Sequence, residues 1–162
     1  MSGIHNLDLA LRLLQNAYEL QMSGKLDEAM RLYRESIDAH PTAEAHTYLG
    51  WTYSFKGRYE EAITQCREAI AIDPGFGNPY NDIGSYLFHL GRSDEAIPWL
   101  EKAKQAPRYE PRHFPYLNLY RVYMKIGRPD AAQRELQQAL FLQKGLEQQS
   151  AGGMDDDAAI LN

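Results

Sequence analysis

A short pattern occurs four times along the chain, and its spacing constrains the fold more than any other feature. In each copy an acidic residue follows a glycine by three positions, and an alanine follows the same glycine by five. The glycines occupy positions 24, 57, 91 and 127, so they lie 33, 34 and 36 residues apart. A period of this length is typical of stacked repeat proteins, in which each repeat contacts mainly its neighbours.

Each unit is predicted to form two helices that meet at its glycine. In the second unit, Leu49 and Gly50 fall on the packing face of a first helix, and Ala62 and Cys66 fall on that of a second. Gly50 and Ala62 are small, which predicts close contact between the two helices. Gly57 suits a left-handed turn between them, because residues with a Cβ adopt that conformation only at a cost. The unit is therefore predicted to be a helical hairpin.

These residues resemble the tetratricopeptide repeat, whose pattern is W-x2-L-G-x2-Y, then A-x3-F, then P. The matching positions in the second unit are Leu49, Gly50, Tyr53, Ala62 and Pro74. The resemblance covers roughly residues 7–143. It implies an all-α fold, a right-handed superhelical array of four helix-turn-helix hairpins, or α-solenoid.

The array is expected to occupy residues 1–144, with a tail over residues 145–162. Its units are predicted at about residues 10–42, 43–76, 77–112 and 113–144. From residue 145 the chain reads GLEQQSAGGMDDDAAILN, which is rich in glycine and contains three consecutive aspartates. This composition predicts a disordered acidic tail.

Composition excludes several classes of function. The formal net charge is −5, which argues against nucleic-acid and anionic-membrane binding, since both depend on clustered Lys and Arg. No apolar stretch approaches the roughly 18 residues of a membrane span. Cys66 is the only cysteine, so an internal disulfide and a multi-thiolate metal site are both excluded, and we expect an inert, buried thiol. We therefore predict a cytoplasmic protein.

The sequence contains no recognisable set of catalytic residues. Its five histidines form no close-spaced ligand pattern, and neither a glycine-rich phosphate loop nor a nucleophile motif is present. We therefore expect that the protein is not an enzyme and has neither a metal site nor a cofactor.

The resemblance implies a binding site instead. In tetratricopeptide proteins the first helices of successive hairpins line a concave groove, and here the residues offset from the packing face form a second, aromatic-rich stripe. Such a stripe has the composition of a binding hot spot, and the asparagines can bond a peptide backbone. The same side chains can alternatively pack between adjacent first helices. The predicted groove residues are Tyr18, Tyr48, Trp51, Phe55, Asn78, Asn81, Asp82, Phe88, Phe114, Asn118 and Arg121.

Some members of the family bind the acidic C-termini of cytosolic chaperones through a clamp of Lys, Asn, Asn, Lys and Arg. At the corresponding positions this chain has Leu14, Tyr18, Tyr48, Asn78 and Asp82. One unit later it has Thr47, Trp51, Asp82, Phe114 and Asn118. Neither set can neutralise a terminal carboxylate, so this clamp is predicted to be absent.

The leading hypothesis is an adaptor that binds a protein or peptide, such as a partner helix, in the concave groove. Two alternatives stay open. One is a self-assembling, homo-oligomeric scaffold, in which a terminal helix or the tail of one molecule enters the groove of another. The other is a bacterial secretion-type chaperone, to which the length, acidity and stacked repeats of this chain are similar.

Overall fold

The computed structural model describes the backbone of residues 2–158 and the side chains of residues 3–152. Within the described backbone the chain forms eight α-helices, which confirms the all-α class. Their bounds are α1 Ser2–Met22, α2 Leu26–Ala39, α3 Ala43–Phe55, α4 Tyr59–Ile72, α5 Asn78–His89, α6 Ser93–Gln105, α7 Phe114–Lys125 and α8 Pro129–Ala158.

The four glycines of the repeated pattern end the odd-numbered helices in a left-handed conformation. Their φ angles lie between 71° and 79°. The amide that follows each glycine donates to the carbonyl oxygen five residues earlier, and at Gly57 this bond runs from Arg58 to Tyr53 over 3.1 Å. The bond satisfies a carbonyl group that the helix end would otherwise leave unpaired. The turns predicted from the sequence are therefore confirmed.

Each odd-numbered helix packs against the even-numbered helix that follows it. A Cβ built on Gly50 of α3 would lie only 2.9 Å from the carbonyl oxygen of Ala62 in α4. A Cβ built on Gly84 of α5 would lie 2.5 Å from Cδ2 of Leu100 in α6. The absence of a side chain at these two glycines is what allows the paired helices to approach so closely.

Neighbouring odd-numbered helices also contact one another, α1 with α3, α3 with α5 and α5 with α7. Within residues 2–158, the even-numbered helices make no comparable contact among themselves. The odd-numbered helices therefore lie on the inner side of a curved array. One continuous apolar core runs between the two layers, from Ala17 of α1 to Val122 of α7.

The loop before α7 pairs with the loop before α5. The Arg108 amide donates to the Gly75 carbonyl oxygen over 3.1 Å, and the Arg108 carbonyl oxygen accepts from the Gly77 amide over 3.0 Å. A Cβ built on Gly77 would lie 2.5 Å from the Cβ of Tyr109, so this backbone approach requires glycine. The pairing holds Arg108 and Tyr109 beside the N-terminal ends of α3 and α5.

The two terminal helices are longer than the repeat pattern predicts. Helix α1 begins at Ser2, and α8 continues to Ala158. The helical conformation of residues 145–158 differs from the disorder expected from residue 145, whereas residues 159–162 lie outside the described residues. No proline follows Pro129, and the stretch contains good helix formers such as Glu147 and Gln148, so the backbone ladder of α8 can continue through its glycines.

Candidate functional site

We call the surface formed by α1, α3, α5 and α7 the concave groove. All of the residues predicted to line it lie on these helices. They are Tyr18 on α1; Tyr48, Trp51 and Phe55 on α3; Asn78, Asn81, Asp82 and Phe88 on α5; and Phe114, Asn118 and Arg121 on α7. Their packing divides them into side chains engaged within the protein and side chains left at the surface.

Two tyrosines of the groove pack against each other. The rings of Tyr18 and Tyr48 have centroids 5.7 Å apart, and Tyr48 also lies 6.2 Å from the ring of Tyr33 in α2. Tyr48 is partly buried, and burial raises the pKa of its phenol. Tyr48 therefore serves mainly as packing between α1 and α3, while part of its ring borders the groove.

Other aromatic side chains leave apolar surface free. The rings of Trp51 and Phe55 have centroids 5.2 Å apart, and Phe55 is 57% exposed. Phe114 at the start of α7 is 43% exposed. Phe88 is partly buried and packs against the core. Phe55 and Phe114 are consequently the two large apolar residues of the predicted set with most surface available to a partner.

The carboxamides of the groove bond to each other. Nδ2 of Asn118 donates to Oδ1 of Asn81 over 2.9 Å, which links α7 to α5. Arg121 donates to Oδ1 of Asn118 over 3.3 Å. Asn81 is only 8% exposed. The sequence did not indicate this hydrogen bond between helices. Asn81 and Asn118 are 37 residues apart in the chain, and whether they meet depends on the distance between α5 and α7.

Asp82 has an unusual electrostatic environment. The residue is partly exposed, but burial around its carboxyl group raises the pKa to about 7, an effect that the adjacent Asn81 side chain partly offsets. Burial raises the pKa of the phenols of Tyr48, Tyr86 and Tyr109, and the charge of Asp82 adds to this effect. Asp82 makes no ion pair with the described residues. It is a carboxyl group without a counter-ion.

Arg108 forms an ion-pair cluster that the sequence did not predict. Its guanidinium lies 2.9 Å from Glu44 of α3 and 2.6 Å from Asp73 after α4, and it covers the ring of Phe76 at 4.2 Å from the centroid. A shallow cleft of about 440 Å³ opens beside it, between Tyr48 and Tyr109. The sequence signal was the longer loop before α7, but no local pattern indicated which carboxylates the arginine would reach.

The described residues hold no group of metal-ligating side chains. Cys66 is fully buried, and burial raises the pKa of its thiol well above the ordinary value, as expected for an unreactive core residue. Among the helices of residues 2–158, none combines the length and the apolar character that crossing a bilayer requires.

Comparison with protein families finds repeats in the middle of the chain. A family model described as tetratricopeptide repeat matches residues 43–76, which contain α3 and α4. A second model with the same description matches residues 78–108, which contain α5 and α6.

Curated relatives carry the same repeats. The chain is 28% identical over 131 residues to the TPR repeat-containing protein YpiA of Bacillus subtilis, covering 80% of this chain and 30% of that protein. It is 25% identical over 122 residues to the type IV pilus assembly protein PilF of Pseudomonas aeruginosa, covering 75% of this chain and 48% of that protein. The chain thus spans less than half the length of either relative.

Solved structures with a similar fold include three of note. Pseudomonas aeruginosa pilF superposes with a TM-score of 0.80 at 23% identity, covering 86% of this chain and 64% of that chain. MamA superposes with a TM-score of 0.74 at 21% identity, covering 86% of this chain and 81% of that chain. The first TPR of Spaghetti (RPAP3), bound to the HSP90 peptide SRMEEVD, superposes with a TM-score of 0.69 at 21% identity. The match covers 75% of this chain and 95% of that chain. These similarities establish a shared helical solenoid fold.

Proposed function

This chain is a tetratricopeptide repeat protein, and from that premise we propose that it is an adaptor that binds a peptide or a partner helix in its concave groove. The observation that carries the proposal is the second apolar surface on the inner helices. Their packing faces are already filled by the core, yet Phe55 and Phe114 stay exposed on α3 and α7. Exposed aromatic side chains in a concave surface are typical of binding hot spots.

The remaining groove residues have supporting roles in this proposal. Tyr18, Tyr48 and Trp51 form the aromatic wall next to Phe55. The hydrogen bond between Asn118 and Asn81 links α7 to α5, and the carboxamide of Asn118 keeps a second amide hydrogen for a ligand backbone. Asn78, Asp82 and Phe88 are partly exposed and Arg121 is exposed, and these four residues extend the site.

The proposed ligand differs from the acidic peptide bound by the RPAP3 repeat. The chain has no lysine at the two sets of clamp positions, and one of those positions carries Asp82 instead. Arg108, which lies beside the N-terminal end of α3, is already paired with Glu44 and Asp73. A ligand carboxylate would meet an uncompensated negative charge at Asp82, so we propose a function without the carboxylate clamp.

The test compares partner capture by matched variants. Phe55→Ala combined with Phe114→Ala removes the two exposed rings without touching the contacts between paired helices. Glu68→Ala on α4, an even-numbered helix, is the control, because Glu68 is also exposed. Truncating a hot-spot residue lowers affinity by about 2 kcal/mol, or roughly thirtyfold. Quantitative mass spectrometry of proteins captured from native extract should therefore show loss for the double variant only. Equal capture by the wild type, the double variant and the control would contradict partner binding in the concave groove.

A homo-oligomeric scaffold is the second candidate, and the ends of the array favour it. Ile4 of α1 is 70% exposed and Phe141 of α8 is 73% exposed, so each terminal helix presents apolar surface. Contact between such ends would join molecules head to tail. Light scattering over a concentration series should then show a rising mass that Phe141→Ser reduces. A constant monomer mass would contradict the scaffold.

A further inference from the structure

We propose that the outer side of the array carries a second binding site, centred on Trp99 of α6, for peptide segments of other proteins that combine acidic residues with an apolar side chain. The site lies between α4 and α6, away from the concave groove, so it goes beyond the proposed function and does not depend on it. Within residues 2–158 the backbones of α4 and α6 do not come into contact, and residues of α5 line the gap between them.

Trp99 lines two clefts in this gap. The larger has a volume of about 380 Å³ and the smaller about 170 Å³. The ring of Tyr80 lies 6.1 Å from the ring of Trp99, and its hydroxyl donates to the Pro74 carbonyl oxygen over 2.8 Å, which holds the phenol in place. The larger cleft is thus a preformed, mainly apolar surface that suits an apolar side chain of a ligand. Its apolar lining consists of Ile70, Pro74, Tyr80, Trp99, Ala106 and Pro107.

Two basic side chains lie against the ring of Trp99. The guanidinium of Arg67 on α4 is 5.4 Å from the ring centroid, and Nζ of Lys102 on α6 is 4.8 Å from it. Because both distances end at the same centroid, the two cations are at most about 10 Å apart. Both residues are exposed, and neither forms an ion pair with the described residues. The site therefore presents two positive charges that lack carboxylate partners in the described part of the chain.

Neighbouring basic residues differ from these two cations. Arg92 at the start of α6 pairs with Glu95 over 2.6 Å, and Lys104, two residues after Lys102, pairs with Glu135 over 2.9 Å. The unpaired charges are thus concentrated beside the exposed face of the tryptophan, in a chain whose formal net charge is −5. Charge complementarity therefore favours an acidic occupant for this surface.

The separation of the cations fits a short extended segment. In an extended chain, residues i and i+2 lie on the same face about 7 Å apart. Two acidic residues with this spacing can reach Arg67 and Lys102 together and form charge-assisted hydrogen bonds with both. An adjacent apolar residue of the ligand then enters the larger cleft, which Lys102 also lines. A tryptophan and an arginine at the centre of such a surface are typical of binding hot spots.

The experiment uses the two tryptophans of the chain as reporters of two surfaces. Trp51 belongs to the aromatic wall of the concave groove, Trp99 lies between α4 and α6, and the sequence contains no other tryptophan. A random-peptide phage library is selected on the full chain. Selected peptides are then titrated into nitrogen-15-labelled protein while NMR follows the two indole N–H signals, which Trp51→Phe assigns.

Peptides of the proposed class should carry two acidic residues and move the Trp99 signal. Arg67→Gln combined with Lys102→Gln should weaken their binding by about tenfold or more, as expected when charged hydrogen bonds are lost. Replacing the acidic residues of the peptide by their amides should weaken binding to the wild type equally, and should have little further effect on this double variant.

Arg128→Gln combined with Arg134→Gln is the matched control. It removes two exposed positive charges from another part of the surface, and the guanidinium of Arg128 also lies over an aromatic ring, that of Tyr123, at 5.1 Å. Affinity should stay unchanged in this control. An equal loss in both double variants would show a general effect of net charge and would overturn the proposal.

The remaining outcomes separate the inference from the proposed function. Peptides that move only the Trp51 signal and need Phe55 and Phe114 would overturn the inference and support the concave groove. A selection without any peptide that depends on Arg67 and Lys102 would also overturn it. A Trp99 signal that moves on replacing Asp155–Asp157 by asparagine, with no peptide added, would assign the surface to the acidic end of the chain itself and equally contradict the proposal.

Discussion

Helix α5 has two adjacent polar residues, and the two residues are satisfied differently. On the α7 side, Asn81 accepts a hydrogen bond from Asn118 over 2.9 Å. The next residue, Asp82, makes no ion pair with the described residues, and burial raises its pKa to about 7. One polar residue of α5 is therefore paired across the groove, and its neighbour is a carboxyl group without a counter-ion.

This difference separates a structural role from a binding role. A satisfied amide pair holds two helices at a defined spacing and contributes to stability. An unpaired, partly buried carboxylate destabilises the fold, and such residues are characteristic of binding sites, where activity and stability conflict. We expect substitutions of the Asn81–Asn118 pair to lower stability, and a neutralising substitution of Asp82 to raise it.

The largest loss of stability should come from a substitution that disrupts the close contact between α3 and α4. Gly50→Leu forces a side chain into the contact with α4, where even a Cβ would lie 2.9 Å from the carbonyl oxygen of Ala62. Because a backbone atom cannot move aside, we expect a loss of about 3 kcal/mol in the free energy of unfolding. Urea and thermal unfolding measure it. Lys25→Leu at an exposed turn position is the control, and equal stabilities of the two variants would contradict the close approach.

The substitution Asp82→Asn should have an intermediate effect of opposite sign, an increase in the free energy of unfolding. Its pKa is about 7 in the folded protein and near its ordinary value of 3.8 in the unfolded chain. Between these values the folded state binds more protons, so the carboxyl group destabilises the protein increasingly as pH rises from 4 to 7. Asp82→Asn cannot titrate, so it should be more stable than the wild type at pH 8. The shift of about 3 pKa units sets an upper limit of about 4 kcal/mol, which solvent screening of the partly exposed carboxyl group reduces to about 2 kcal/mol.

The difference between these two proteins should disappear below about pH 3, where the wild-type carboxyl group is protonated in both states. Chemical unfolding of both proteins across this pH range isolates Asp82, because every other group titrates equally in the two. A variant that is less stable than the wild type at pH 8 would show that the carboxylate has a partner in the folded protein. The contrast between Asn81 and Asp82 would then be lost.

Much of the fold follows from local sequence. A glycine in each unit marks a left-handed turn, and its neighbours satisfy the helix end within five residues, so the turns were predictable from the pattern alone. The close contact at Gly50 and the burial of Cys66 followed equally from helical periodicity. The length of α8 did not, because an exposed stretch with glycines has only small differences in helix propensity to decide its conformation.

The placement of the candidate groove residues on the inner helices was predictable from the sequence, and the contacts among them were not. The spacing of Asn81, Asp82 and Asn118 placed them on inner helices, but their partners depend on distances between helices. The sequence does not show that Asn118 reaches Asn81 while Asp82 stays unpaired. Arg108 was missed because its carboxylates come from two other segments of the chain. Such contacts between distant segments form only once the repeats have stacked.

The smallest effect should come from the hydrogen-bonded pair of Asn81 and Asn118. Asn118→Ala removes the donor and leaves Oδ1 of the buried Asn81 without its partner, so we expect a loss of about 1 kcal/mol in the free energy of unfolding. Asn81→Ala should lose a similar amount, and the double variant should lose less than the sum, because each single change already breaks the bond. Strictly additive losses would mean that the two carboxamides do not interact in solution.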